Sequence, residues 1–181
     1  GKLMQLSGHF SLSELTKSQT AERKGIDNKP TLEHIENLTE LCTHILEPTR
    51  RNFSKPIVIT SGYRSEELCE AIGSKTTSQH AKGEAADFEM FGLDNKSLAK
   101  YIKNNLIFDQ LILEFYNQDD PSSGWVHCSY SKEENRKEVS IIEKNTSKNL
   151  SVQTDKEFEL FYSTYPRKVS KQATIKAFKR L

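Results

Sequence analysis

Ser-Gln-His-Ala-Lys-Gly-Glu-Ala-Ala-Asp, residues 78–87, is the stretch that decides how this chain is interpreted. His80 and Asp87 stand seven residues apart in it, and a further histidine, His127, ends the triplet Trp-Val-His. Two histidines and one carboxylate can hold a Zn²⁺ ion and leave a fourth position for water. On residue types alone, a loop histidine and a strand-end aspartate are the commoner alternative, because so few residues make a weak signal.

The neighbouring sequence predicts that His80 and Asp87 point toward one centre. Residues 56–60 are apolar and β-branched, which is typical of a buried strand. A short helix is predicted over residues 66–72. Residues 85–90 are predicted to form a strand that carries Asp87 toward the loop of His80. The spacing is therefore compatible with a shared metal site.

Several motifs follow one another in order over about residues 5 to 130. They are His9-Phe-Ser-Leu-Ser-Glu-Leu15, Thr20-Ala21, Gly25-Ile-Asp-Asn28, Leu46-Glu-Pro48, Ser61-Gly-Tyr-Arg-Ser65, Ser78-Gln-His80, Gly83, Asp87 and Trp125-Val-His127. As a set they resemble the zinc D-alanyl-D-alanine carboxypeptidase-like peptidases of small phage and bacterial type, which share the hedgehog/DD-peptidase fold. The resemblance implies Zn²⁺ ligands at His80, Asp87 and His127, and a substrate in the peptide stems of the cell wall.

A hydrolase of this type also needs a general base, because the attacking water loses a proton and the leaving amine gains one. The resemblance implies a glutamate shortly before the last histidine, and Glu114 is the candidate. Its spacing to His127 is wider than in many relatives. Turn-forming residues fill 117–124 and predict a hairpin that returns His127 beside Glu114. Asp119 and Asp120 are the alternative bases, although a turn would orient them poorly.

Four more residues are predicted near the site. The guanidinium of Arg64 can bind a carboxylate of the substrate or stabilise the oxyanion of the reaction, and the resemblance implies such a role. The alternative interpretation is a surface arginine that caps the following helix. Ser78 is predicted to hydrogen-bond a metal-binding residue or the substrate. The alternative interpretation is an ordinary serine of a loop. Tyr63 and Trp125 are predicted to form pocket wall or core.

Composition predicts a protein without a membrane span or a disulfide framework. Of the 181 residues, 35% are hydrophobic and 28% are charged. No apolar run approaches the length of a membrane span, and residues 1–5 lack the apolar region of a signal peptide. We expect a protein made in the cytoplasm that acts on the cell wall if released as a phage lysin. The chain contains three cysteines, Cys42, Cys69 and Cys128. Because this number is small and odd, we do not expect a disulfide framework.

The order of elements predicts an α+β domain, with an antiparallel sheet that carries the zinc site and with flanking helices. Apolar residues at three- and four-residue steps predict a helix over residues 31–50, and a second over residues 95–104 with Leu98 and Ile102 inward. Cys128 adjoins the candidate ligands but would point to the opposite face of its strand.

The chain is expected to divide into three parts. Residues 1–135 would form the zinc peptidase domain, residues 136–154 an edge strand and linker, and residues 155–181 a helical, basic segment of unassigned role. From residue 131 onward, 12 Lys and Arg face 7 Asp and Glu. Such a segment can touch nucleic acid or an anionic wall, but a solvated helix pair is commoner. We expect a monomer with no nucleic-acid partner.

Two functions stay open from the sequence. The first is a zinc metallopeptidase that cuts peptidoglycan stem peptides, as a D-Ala-D-Ala carboxypeptidase or an endolysin-type endopeptidase. The alternative is a non-catalytic zinc-containing binding module on the same fold. Glu114 and Arg64 favour the enzyme, because a structural zinc site needs neither.

Overall fold

A mixed six-stranded sheet organises the chain. The computed structural model describes residues 4–143 and the backbone of residues 151–153. The strands are β1 Val58–Ser61, β2 Ala85–Glu89, β3 Gln110–Glu114, β4 Trp125–Ser129, β5 Glu138–Glu143 and β6 Ser151–Gln153. Their spatial order is β1-β2-β4-β3-β5-β6. The architecture is the predicted α+β class.

One strand pair departs from the predicted antiparallel arrangement. Every pair of neighbours is antiparallel except β3 and β5, which run parallel. The hairpin makes β4 antiparallel to β3, and the chain then crosses to the far side of β3 before forming β5. Since β5 runs against the direction of β4, it must run with β3.

The first strand is a second departure, because it lies at the edge of the sheet. Residues 56–60 are predicted to be a buried strand, but Val58 is 51% exposed and Ile59 only half-buried. Only Ile57, just before the strand, is fully buried. The prediction of a buried strand is wrong here, because β-branched residues favour strands at edges and centres alike.

Helices flank the sheet. They are α1 Leu12–Thr16, α2 Gln19–Lys24, α3 Leu32–Leu41, α4 Glu47–Phe53, α5 Glu66–Ala71 and α6 Asn95–Asn105, with a π-helical segment at Cys42–Leu46 and a 3₁₀ turn at Gln79–Lys82. The predicted helix over residues 31–50 is confirmed and runs on to Phe53, where Ser54 adopts a left-handed φ of 53°. The predicted helix over residues 95–104 is confirmed too, one residue longer, with Leu98 and Ile102 fully buried.

Alternation along the strands divides the sheet into an apolar and a polar face. Residues such as Phe88, Leu113 and Val126 enter the core together with side chains of the α3 and π segments. The residues between them, including Asp87 and Glu114, lie on the other face. The packed apolar face therefore fixes the strands that carry the polar residues.

The last strands belong to this same sheet. Val139 and Ile141 of β5 are core residues, and β6 pairs with β5. The predicted helical segment 155–181 lies outside the described residues. Across residues 4–143 and 151–153, the longest helices are too short and too polar to cross a bilayer.

Candidate metal centre

Three side chains on the polar face come together as a ligand set. His80, Asp87 and His127 each offer one ligand atom, and these atoms lie within 4.8 Å of one another. The Oδ1 atom of Asp87 is 2.9 Å from Nδ1 of His127 and 3.5 Å from Nε2 of His80. In a tetrahedral site with bonds of about 2.0–2.1 Å, neighbouring ligand atoms are about 3.3 Å apart. The two measured distances bracket that value.

The sheet register brings two of these residues together. Asp87 on β2 and His127 on β4 are direct cross-strand partners, so their side chains leave the sheet side by side. All three candidate ligands are at least nine-tenths buried. Cys128, the next residue on β4, is buried in the core on the opposite face, as predicted. It is therefore excluded from the ligand set.

His80 reaches the centre from the 3₁₀ turn. Its Nδ1 atom lies 2.7 Å from the carbonyl oxygen of Gly62 and donates to it, so Nε2 is the ring nitrogen that faces Asp87 and can bind a metal ion. A carbonyl partner of this kind fixes the tautomer and the ring orientation of a metal-binding histidine. The side chain of Ser78 accepts a hydrogen bond from the backbone N–H of His80 at 3.0 Å and starts the turn. Ser78 thus positions the ligand-bearing turn.

Gly62 has a role that we did not predict. An added Cβ would lie 2.3 Å from the carbonyl oxygen of Leu15. The neighbouring N–H of Tyr63 donates to that same oxygen at 2.7 Å. Only glycine allows the end of β1 to approach α1 this closely while its own carbonyl turns to His80. The signal in the sequence was the glycine inside Ser-Gly-Tyr-Arg, but its partner Leu15 is visible only in three dimensions.

Arg64 contacts the centre directly. Its Nη2 atom donates to Oδ2 of Asp87 at 3.3 Å, and its Nε atom donates to the hydroxyl of Ser61 at 3.0 Å. The helix that follows is capped by Ser65, which accepts from the N–H of Leu68. Arg64 therefore holds the oxygen of Asp87 that is turned away from the histidines.

These contacts set the charge of Asp87. Burial alone would raise its pKa, but the charge of His80 and the hydrogen bond with His127 outweigh that effect and hold the pKa of Asp87 well below its usual range. The carboxylate is therefore ionised at neutral pH, as a metal ligand must be.

Glu114 ends β3 on the same face. It pairs with Trp125, and Ile112, two residues earlier, pairs with His127. Glu114 and His127 are consequently diagonal neighbours on adjacent strands. Burial, and then the negative charge of Asp87, raises the pKa of Glu114 to about 7, although His127, Arg64 and Trp125 act in the opposite direction. A carboxyl with this pKa can both accept and return a proton near neutral pH.

A second glycine that we did not single out fixes the position of Glu114. Gly124, just before β4, has a φ of 72°, and an added Cβ would lie 2.2 Å from the carbonyl oxygen of Glu114. The next residue on the other strand, Phe115, also has a positive φ, 56°. The hairpin therefore closes through close backbone contact behind Glu114. By contrast, Asp119 and Asp120 lie exposed in the turn.

Tyr63 and Trp125 pack against neighbouring rings. Tyr63 is 5% exposed and its ring lies 4.8 Å from that of His34. Trp125 is half-buried and packs against Phe115 at 5.1 Å between ring centroids. Their role as pocket wall or core stays a prediction.

The donor set fits a metal ion. Two buried imidazoles and one buried, ionised carboxylate match the nitrogen and oxygen ligands that zinc takes. Gly62 holds His80 and Arg64 holds Asp87 by hydrogen bonds. Among the residues that the structure describes, this is the one group of three or more metal-binding side chains that converge in this way. The three residues singled out in the sequence are thus together in space.

The comparison with known proteins agrees with this geometry. A family model described as Peptidase M15 matches residues 8–129. No protein in the curated collection matches the chain. The match covers the three candidate ligands, Arg64 and Glu114, and the α+β architecture fits the hedgehog/DD-peptidase fold that the motifs imply. The chain belongs to the peptidase M15 family.

Proposed function

We propose that this protein is a zinc-dependent peptidase that hydrolyses a peptide bond in peptidoglycan stem peptides. The observation that carries the proposal is the placement of Glu114 beside the His80, Asp87 and His127 cluster on one face of the sheet. A structural zinc site does not need such a carboxyl. The non-catalytic binding module on this fold is therefore the weaker alternative.

The chemistry divides between the ion and the chain. Zn²⁺ held by the three ligands would polarise the scissile carbonyl and lower the pKa of a bound water. Gly62 and Arg64 keep His80 and Asp87 in orientation by their hydrogen bonds. Burial of the ligands excludes bulk water from the centre and strengthens each charge interaction there.

Glu114 would move the proton. In its ionised form it removes a proton from the water that attacks the carbonyl carbon, and the carboxyl then donates that proton to the amine nitrogen as the carbon–nitrogen bond breaks. The products are an amine and a carboxylic acid, which loses the second proton of the water to the solvent, and Glu114 returns to its ionised form. Its position on the face that carries the ligands suits both steps, because one carboxyl held beside the reacting atoms can accept the proton and then return it.

Arg64 would stabilise charge on the substrate side. Its guanidinium is less than one-fifth exposed and lies against the carboxylate of Asp87. A planar guanidinium can share its donors between Asp87 and an oxyanion, which a lysine ammonium does less well. We therefore expect Arg64→Lys to lower kcat/KM without loss of metal.

The test is digestion of purified peptidoglycan fragments, analysed by mass spectrometry. The zinc-loaded protein should release products that carry one new amine and one new carboxylate. Chelator should abolish the cleavage and added zinc should restore it. The masses would also distinguish removal of a terminal D-alanine from endopeptidase cleavage, which an endolysin of a phage would perform.

A matched control uses Glu114→Gln, which keeps the shape of the side chain. If wild type and Glu114→Gln bind wall fragments equally and neither cleaves them, the protein is a binding module and the peptidase proposal is wrong. Monomeric behaviour and absence of a nucleic-acid partner belong to the same proposal and can be checked on the purified protein.

A further inference from the structure

A cleft of about 500 Å³ opens directly beside the metal centre. Ser61 and Arg64 are among the residues that line it. Ser61 lies opposite Asp87 in the β1–β2 register, and Arg64 donates to the Asp87 carboxylate. The outer wall comes from α2 and the residues that connect it to α1. A group bound in the cleft would therefore lie next to the candidate ligands.

The cleft is positively charged. Its lining contains Lys17, Arg23 and Arg64 and no acidic residue. This departs from the chain as a whole, in which 26 Lys and Arg nearly balance 25 Asp and Glu. Lys17 and Arg23 are exposed, and within residues 4–143 neither side chain forms an ion pair. Two of the three cations are thus available to a ligand.

Hydrogen-bond donors accompany the charges. The hydroxyl oxygen of Ser61 accepts from Nε of Arg64, which leaves its own O–H to donate into the cleft. Thr20 contributes a second hydroxyl to the lining. Cations combined with neutral donors are what a carboxylate requires, since each of its oxygens accepts more than one hydrogen bond.

We propose that this cationic cleft binds a carboxylate of the peptide substrate, with Lys17 and Arg23 as specificity-determining residues. The proposal rests on the proposed peptidase function and adds two residues, Lys17 and Arg23, that would select peptides with a free carboxylate near the scissile bond. A second cleft, of about 400 Å³, is lined by Glu89, Asp94 and Asp120 without any basic residue, so it would repel the same group.

The experiment compares two substrates. Stem peptides with free carboxylates, and the same peptides with these carboxylates converted to carboxamides, are given to the zinc-loaded wild type and to the double variant Lys17→Gln/Arg23→Gln. We expect the double variant to raise KM for the acidic peptide about tenfold, the size of two screened charge contacts, with kcat nearly unchanged. For the amidated peptide, the two proteins should have equal KM values.

Lys24→Gln is the matched control. Lys24 is an exposed cation on the same helix as Arg23 but does not line the cleft. Its removal should leave KM for both peptides unchanged. If Lys24→Gln raises KM as much as the double variant does, the effect is one of net charge, and the cleft proposal is wrong.

Binding separates this proposal from the peptidase function. Both peptides are titrated calorimetrically into Glu114→Gln protein with and without the Lys17→Gln/Arg23→Gln changes. Preference for the acidic peptide, lost in the combined variant, supports the cleft even if the wild type cleaves neither peptide. Cleavage of both peptides with equal KM by wild type and double variant would overturn the cleft proposal and leave the peptidase function standing. Failure of the acidic peptide to bind would overturn it as well.

Discussion

At Glu114, two effects act in the same direction. Burial and the carboxylate of Asp87 both favour the protonated form and raise the pKa to about 7. Asp87 is more deeply buried, yet its pKa is lowered, because it faces His80 and His127. Environment thus separates two carboxylates on one face of the sheet into a permanently ionised ligand and a group that exchanges protons. Such a division is typical of acid–base sites.

Replacement of Glu114 tests its role. We expect Glu114→Gln to keep zinc, since Glu114 is not among the ligands, and to lower kcat by about 10²- to 10⁴-fold, the usual contribution of a general base. Steady-state hydrolysis and metal analysis measure the two effects. Asp119→Asn and Asp120→Asn serve as controls in the exposed turn. Near-normal turnover in Glu114→Gln, with loss in either aspartate variant, would show that the base is one of these.

The raised pKa of Glu114 also has a consequence for stability. The folded state favours protonation of Glu114 more than the unfolded state does, where the pKa is 4.5. The resulting contribution to folding stability is therefore fully present below pH 4.5 and is lost as pH rises through about 7. In metal-free protein, Glu114→Gln should remove this loss. We expect the free energy of unfolding of Glu114→Gln, measured by urea titration, to gain roughly 2–3 kcal/mol relative to wild type as pH rises over this interval. Parallel pH profiles of the two proteins would contradict the raised pKa.

Part of the site could be predicted residue by residue, and part could not. His80, Asp87 and His127 stand in recognisable motifs, and strand alternation separates His127 from Cys128. The contact of Arg64 with Asp87 could not be predicted, because it depends on the β1–β2 register, which shifts between Ile59 and Ser61. The roles of particular glycines depend on which backbone lies opposite, and a single sequence does not contain that information.

At the scale of elements, the β3–β4 hairpin positions Glu114 through the backbone of Gly124. The wide spacing between Glu114 and His127 is accommodated in the turn, outside the paired residues of the two strands. The sequence predicted this hairpin from its turn-forming residues, but not the close contact that closes it. The parallel β3–β5 pair and the edge position of β1 likewise follow from the path of the chain between elements.

A pair of glycine variants tests the hairpin. Gly25 and Gly124 both have a left-handed φ, 68° and 72°, but a Cβ at Gly25 meets nothing within 4 Å. Gly25→Ala should cost about 1–2 kcal/mol from backbone strain alone and leave kcat unchanged. Gly124→Ala should lower the free energy of unfolding by about 1–3 kcal/mol more than Gly25→Ala does, because the new Cβ clashes with the backbone of Glu114. It should also lower kcat about 10²-fold, because the clash displaces Glu114. Urea titration and kinetics measure both effects. Equal stability losses with an unchanged kcat would contradict the positioning role.

At the scale of the whole molecule, the sheet extends beyond the residues that carry the chemistry. The family match ends at residue 129, yet β5 buries Val139 and Ile141 in the core and β6 pairs with β5. The predicted boundary at residue 135 therefore falls before two strands of the same sheet. The role of residues 155–181 stays a prediction, namely that they are separable from catalysis.

Two truncations test where the folding unit ends. A chain that stops after residue 153 keeps all six strands, and we expect it to bind zinc and to hydrolyse wall fragments as the full chain does. A chain that stops after residue 137 loses β5, whose buried apolar side chains contribute roughly 1.5–3 kcal/mol each. Because total stability is commonly about 5–15 kcal/mol, this shorter chain should unfold. Circular dichroism measures whether each truncated chain is folded, and metal analysis measures whether it binds zinc. A folded, zinc-binding chain of 137 residues, or a collapsed chain of 153 residues, would contradict this boundary.

The central claim is that three side chains on one face of the sheet hold a single zinc ion. Anomalous diffraction at the zinc edge, from crystals of the zinc-loaded protein, tests it most directly. We predict one peak per chain, about 2.0–2.2 Å from Nε2 of His80, Nδ1 of His127 and a carboxylate oxygen of Asp87. Absence of a peak there in zinc-loaded crystals, or zinc bound only at other residues, would contradict the account.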